Sequence, residues 1–139
     1  MRVSFDFDNT LYHPFGYNGS NSNDQMNDIQ SLAKEYLRSG YDVFIVTKRY
    51  GPENRSLGLT NEHLLVYEIA FRLGIVLENV HFTNREMKFK TLLKLGINRH
   101  FEDDEYECDL IRNSNKMLLE GSKIEVIPVL DPYWKDLVN

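Results

Sequence analysis

The stretch Arg2-Val3-Ser4-Phe5-Asp6-Phe7-Asp8-Asn9-Thr10-Leu11 decides how the rest of the chain is read. It opens as a short, apolar, alternating strand, Arg2 to Phe7, and ends in two carboxylates two residues apart. As the chain leaves the strand, Asp6 and Asp8 can both turn toward one pocket. Confined carboxylates repel each other unless a cation sits between them. A hard cation with oxygen ligands, magnesium above all, resolves that repulsion. The competing reading is a solvated turn with Asp8 or Asn9 as an Asx cap.

Four further strand candidates follow. Tyr41 to Val46 is a nearly continuous apolar run, the pattern of a strand buried on both faces. Asn79 to Thr83, Arg99 to Glu102 and Lys123 to Val129 complete the set. Helical patterns lie between them. From about Asp24 to Ser39, Met26, Ile29, Leu32, Ala33, Tyr36 and Leu37 share a face, and Gly40 is the stop. From Asn61 to Leu73, Thr60 or Asn61 is the cap, Leu65, Ile69, Ala70 and Leu73 line a face, and Gly74 ends it. A third helix covers Met87 to Leu95. A fourth starts near Glu105, carries Tyr106, Leu110 and Ile111, and ends between Asn113 and Leu119.

Strands alternating with helices imply right-handed βαβ units on a parallel sheet. The expected fold is α/β: one Rossmann-like, three-layer domain over residues 1–139, its five-stranded parallel sheet ordered 3-2-1-4-5. Ligands of such sheets bind beyond the carboxyl ends of the strands, where the order reverses. The segments Tyr12 to Asn23 and Lys48 to Leu59 read as loops, and neither Tyr12 to Asn23 nor the stretch from Lys48 to Leu77 leaves room for a large cap domain.

Composition narrows the function classes. The chain's 139 residues can bury a core without staples. With 42% hydrophobic and 27% charged residues it reads as globular, not disordered. A net charge of −5 argues against a nucleic-acid coat, which needs a basic excess, but does not exclude a substrate with one phosphate. The single cysteine, Cys108, excludes an internal disulfide and a cysteine-ligated metal centre. There is no basic-then-apolar leader pattern, and no apolar run approaches the ~18 residues that span a bilayer. The expected location is the cytoplasm, with no membrane partner.

Three other strand ends carry chemistry. The second strand runs into Thr47-Lys48-Arg49, where a hydroxyl can donate to a phosphate oxygen and the cations add attraction. A turn threonine is the plainer alternative. Lys88 opens the third helix just past Thr83-Asn84, placed as a point charge for a transferring phosphoryl group. Lys90 and Lys94 lie nearby, and a solvated helix face is the alternative for all three. The fourth strand ends in Glu102-Asp103-Asp104-Glu105. In the expected order it lies beside the first strand, which brings Asp103 or Asp104 to Asp6 and Asp8.

Asp-x-Asp-x-Thr-Leu from Asp6 to Leu11, then Thr47, Lys88 and the acidic pair, resembles the four motifs of the haloacid dehalogenase superfamily of hydrolases. The resemblance covers nearly the whole chain. The run His81-Phe82-Thr83-Asn84…Lys88…Leu95-Gly96-Ile97…His100-Phe101-Glu102-Asp103-Asp104 resembles small capless members found in phages and bacteria. The resemblance implies a magnesium-dependent phosphatase acting through an aspartyl-phosphate. It makes Asp6 the nucleophile, Asp8 the general acid and then the base, Thr47 the holder of a phosphate oxygen and Lys88 the neutralising cation. Asn9, Thr10, Lys48 and Arg49 join Thr47 and Lys88 as substrate-binding candidates. The implied magnesium ligands are Asp6, Asp8 through its backbone carbonyl, and Asp103 or Asp104. The register of the fourth motif stays open among Asp103-Asp104, the spaced pair Asp104 and Asp109, and Glu102-Asp103. Lys90 stays open beside Lys88.

A capless site is open, which suits a phosphorylated substrate with a large end, a lid supplied by a partner, or weak selectivity. The alternatives are a non-catalytic magnesium- and phosphate-binding module acting through a partner, and a nucleotidase or nucleic-acid end phosphatase. A phosphotransferase is disfavoured, because water reaches an open site. The oligomeric state is left open. His13, His63, His81 and His100 lack zinc-site spacing. His13 reads as a surface residue, His81 and His100 as satisfied strand positions, and Cys108 as a small buried hydrophobe. Tyr133 and Trp134 read as packing for the C-terminus, and Arg49 and Arg55 as guides for an anionic substrate.

Overall fold

The structure is a computed structural model that describes residues 1–13, 22–53 and 62–130. Strands β1 (Arg2–Phe5), β2 (Asp42–Thr47), β3 (Val80–Phe82), β4 (Arg99–Glu102) and β5 (Glu125–Pro128) form one sheet of order β3-β2-β1-β4-β5. All pairings are parallel. Helices α1 (Ser22–Arg38), α2 (Leu64–Leu73), α3 (Phe89–Lys94) and α4 (Glu105–Asn115) alternate with the strands. The α/β fold and the strand order are those expected in the sequence analysis. The chain starts in the middle of the sheet, builds outward to β3, then returns to place β4 on the other side of β1. That return creates the reversal point.

The sequence of β2 explains the three layers. Its side chains alternate between faces. Val43 and Ile45 join one core with Ile29, Leu32 and Ala33 of α1 and Val66, Ile69 and Ala70 of α2. Phe44 and Val46 join the other with Leu92 of α3 and Cys108 and Ile111 of α4. An apolar run with no polar face is therefore covered on both sides, as buried parallel strands require.

Within the elements the structure refines the expectations. On α2, Val66 is buried together with Ile69, Ala70 and Leu73, and Leu65 lies at the margin. This helix begins at Leu64, with His63 at its N-cap and no side-chain capping bond. Gly74 closes it in a left-handed conformation, φ +88°, its N–H turned back to the carbonyls of Ala70 and Phe71. Thr60, Asn61, Arg55, Tyr133 and Trp134 lie outside the described residues, as do the loop stretches 14–21 and 54–59. No cap domain occurs among the described residues, and none of their helices is long and apolar enough to cross a membrane.

Candidate functional site

Asp6 directly follows β1, and its N–H donates to the Phe101 carbonyl at 2.9 Å, continuing the ladder to β4. The chain then curls over one acceptor. The N–H groups of Thr10, Leu11 and Tyr12 all donate to the Phe7 carbonyl, at 3.2, 3.0 and 3.0 Å. Asn9 takes φ +61°, a left-handed conformation that asparagine tolerates. The buried side chains of Phe7 and Leu11 pin this turn to the core. Thr10 Oγ1 donates back to Asp6 Oδ2 at 3.2 Å.

Lys88 lies just before α3 and is almost fully buried. Its Nζ donates to Asp6 Oδ1 and to Glu102 Oε1, both at 2.6 Å. Burial alone would lower the lysine's pKa. The charges of Asp6 and Glu102 outweigh burial and hold it well above the ordinary value. Burial would likewise raise Glu102, but the Lys88 charge and the His100 hydrogen bond hold it down at about 2. His100 Nε2 sits 2.9 Å from Glu102 Oε1, and its Nδ1 sits 2.6 Å from Ser4 Oγ. A carboxylate only accepts, so in the neutral imidazole the proton is on Nε2, and Nδ1 accepts from the Ser4 hydroxyl.

Asp103 completes the floor. Asp6, Glu102 and Asp103 each bring a carboxylate oxygen within 4.8 Å of the others. Burial first, then the hydrogen bond and charge of Asp6, then the charge of Glu102, push the Asp103 carboxyl far above the usual range. Carboxylates crowded this closely retain a proton where no cation is present. The donor set is all oxygen, which fits a hard divalent cation better than a soft one. No other such cluster occurs among the described residues.

The wall comes from the ends of β2 and β3. Thr47 is buried, and its Oγ1 accepts the Arg49 N–H at 3.2 Å. Arg49 grips both oxygens of Asp8, Nε to Oδ2 at 2.8 Å and Nη2 to Oδ1 at 2.7 Å. Its Nη1 donates to the Glu62 carbonyl at 2.8 Å, and the guanidinium lies 5.0 Å from the centre of the Phe7 ring. The hydrogen bond to Asp8 holds the Arg49 pKa above its ordinary value, against the opposing effect of burial. Lys48 Nζ approaches Glu107 Oε2 at 2.9 Å, a contact of charges outside hydrogen-bonding angles. Glu107 Oε1 accepts the Lys88 N–H at 2.7 Å. The two loops are joined through backbone, with N–H groups of Thr83, Asn84 and Arg85 donating to the carbonyls of Thr47, Arg49 and Lys48.

Asp6, Asp8, Asn9, Thr47, Lys48, Lys88, Asp103 and Asp104 line one cavity of about 480 Å3, as the sequence analysis expected of a common site. Thr10 reaches it through Asp6, and Arg49 stands behind Asp8. Between the two lysines left open, Lys88 meets the carboxylates and Lys90 is exposed. Of the three registers, the geometry assembles Glu102-Asp103. Asp104 instead caps α4, its Oδ1 accepting the Tyr106 N–H at 2.9 Å, and Asp109 is exposed beside Arg112. The Asp8 carboxylate is on Arg49, outside the acidic cluster. The sequence reading did not single out Glu107, the Ser4–His100 pair or Arg85. Cys108 is buried, and burial pushes its thiol up to about 12, so it behaves as the small hydrophobe expected. No protein family, curated protein or solved structure matches this chain.

Proposed function

We propose that this chain is a phosphomonoester hydrolase, dependent on a divalent cation, magnesium above all, with Asp6 as its nucleophile. The observation that carries the reading is the Lys88 bridge. One buried ammonium spans Asp6 and Glu102 at the reversal point, with Asp103 beside them. A structural ion pair needs no third acid, whereas phosphoryl transfer needs a nucleophile, a cation and a metal-binding set in one place. Asp6, Glu102 and Asp103 are the residues whose side chains would hold the metal. When bound, it would offset the charge that builds on the phosphoryl oxygens.

This chain's own residues account for the rest. Thr10 and Lys88 hold the two oxygens of Asp6, which fixes the carboxylate's orientation before substrate arrives. An Asp6 oxygen forms a bond to phosphorus as the bond to the ester oxygen breaks. Asp8, released from Arg49 and protonated, gives its proton to that leaving oxygen. Asp8 then takes a proton from water as the water oxygen attacks the phosphorus of the aspartyl-phosphate and the bond to Asp6 breaks. The products are the alcohol and inorganic phosphate, with Asp8 again carrying a proton. Thr47, Lys48 and Lys88 supply donors for the phosphoryl oxygens.

The test is release of phosphate from a generic aryl phosphate, with magnesium and with chelator, beside Asp6→Asn. Circular dichroism establishes that the variant is folded. The expected result is magnesium-dependent release that the variant lacks. Equal release by the variant overturns the nucleophile assignment. No release from folded wild-type protein, with phosphate binding intact, gives the site to a non-catalytic binding module.

A further inference from the structure

The chain leaves β3 through two successive residues in the left-handed region, Asn84 at φ +54° and Arg85 at φ +69°. Asparagine tolerates this conformation, but for an ordinary side chain it is strained and persists only where surroundings enforce it. Here they do. The Arg85 N–H donates to the Lys48 carbonyl at 2.7 Å, Asn84 Oδ1 accepts the Gly51 N–H at 2.9 Å, and Thr83 Oγ1 donates to the Glu86 carbonyl at 2.6 Å. Glycine would take this conformation without strain. The arginine that stands there is one of the residues lining the cavity.

Its guanidinium is not used up. It lies 5.1 Å from the centre of the Tyr50 ring, and Nη2 donates to Glu62 Oε1 at 2.7 Å. Its side chain is still 53% exposed. Glu62 takes only one of several N–H donors on the fork. Lys48, whose backbone carbonyl accepts the Arg85 N–H, also lines the cavity, with its Nζ beside Glu107. Lys88, by contrast, is buried between two carboxylates. The cavity of about 480 Å3 is of the size that takes a small-molecule ligand, well beyond one phosphoryl group. Acids Asp104 and Glu105 also line it, and the chain carries a net charge of −5, which disfavours a polyanion.

We infer that Arg85 is a second anion subsite, and that the substrate is a small bisphosphate ester with one phosphoryl group at Asp6 and the other on Arg85. The assignment of substrate rests on the phosphatase reading above; the subsite itself does not. Arginine recognises phosphate through paired donors, an interaction lysine does not reproduce.

Two substrate pairs test this in magnesium: adenosine 3′,5′-bisphosphate against AMP, and fructose 1,6-bisphosphate against fructose 6-phosphate. Turnover is measured on wild type and Arg85→Gly, and binding by calorimetry on Asp6→Asn with and without Arg85→Gly. Glycine suits the left-handed position, so the turn survives loss of the guanidinium. Should the stranded Glu62 unsettle the fold, Glu62→Gln with Arg85→Gly removes that charge as well. The expected result is a bisphosphate preference of about tenfold or more in at least one pair, falling to near unity without Arg85. No preference in either pair, or a preference that survives the loss of Arg85, overturns the subsite. Tighter binding of a 5′-phosphorylated trinucleotide than of either bisphosphate overturns the small-molecule assignment. Preferential binding that depends on Arg85, without turnover of any compound, upholds the subsite and defeats the phosphatase reading alone.

Discussion

The floor of the cavity, where β1 and β4 end, and its wall, where the chain leaves β2 and β3, both hold opposed charges, but in different media. On the floor, Lys88, Asp6 and Glu102 have side chains 2%, 8% and 2% exposed. On the wall, Asp8 is 36% exposed and Arg85 53%. The floor hangs from regular strands and a buried lysine, so its geometry is set by the sheet. The wall hangs from left-handed turns joined backbone to backbone, so its geometry is set by loops. Buried charges are strongly coupled and costly to separate, whereas exposed pairs are weak and exchangeable. On the function proposed above, the floor holds the nucleophile Asp6, and the wall holds the proton carrier Asp8 and the anion subsite at Arg85.

Lys88→Met should break the contrast most severely. It leaves Asp6 and Glu102 buried without their cation, and loss of about 3–5 kcal/mol in urea unfolding is expected, with no turnover. Adding Glu102→Gln to that variant should recover part of the stability and none of the activity. A loss below 1 kcal/mol for the single variant would mean that the floor is as well solvated as the wall.

His100→Leu comes next. It removes the donor to Glu102 and leaves the Ser4 hydroxyl without its acceptor, so about 1–3 kcal/mol is expected. On the wall, Arg49→Ala should cost only about 1 kcal/mol, because solvent screens Asp8. Equal losses for these two variants would erase the distinction between the regions.

The smallest effect is a dependence on pH. The Asp103 carboxyl is raised in the folded state, so its contribution to stability is full at pH values below the unfolded aspartate range. It is lost progressively as pH rises toward its folded value of about 10. A cation on the cluster displaces that proton. The rise in Tm produced by magnesium over chelator should therefore grow from pH 5 to pH 8. A rise that is constant across this range would place the ion away from Asp103.

The residues at the strand ends were legible in the sequence, Thr47, Lys48 and Arg49 of the wall included, whereas Arg85 and the pairing of Arg49 with Asp8 were not, for physical reasons. Strand β4 runs from Arg99 to Glu102 as read, because a strand announces itself through composition and the acidic residues that end it. Asp6 and Lys88 follow from strand ends and the order of the sheet. The acidic run was ambiguous because like residues in sequence diverge in space. Glu102 is still within the strand, Asp103 turns toward Asp6, and Asp104 is already a helix cap. Leu65 and Val66 are both apolar, and only the rotation of α2 decides which is covered. Arg85 was invisible, since no glycine marks its left-handed turn and its neighbours in space come from the loop after β2.

The Ser4–His100 pair also bears on how the sheet assembles. Ser4 and His100 are register partners in the β1–β4 ladder. A slip of one residue would set the imidazole opposite Val3 or Phe5, leaving Nδ1 without the Ser4 hydroxyl. An all-apolar pairing would tolerate such a slip far better. The polar pair therefore acts as a proofreading key for the joining of the first and fourth strands, penalising near-miss alignments before the site they carry can form.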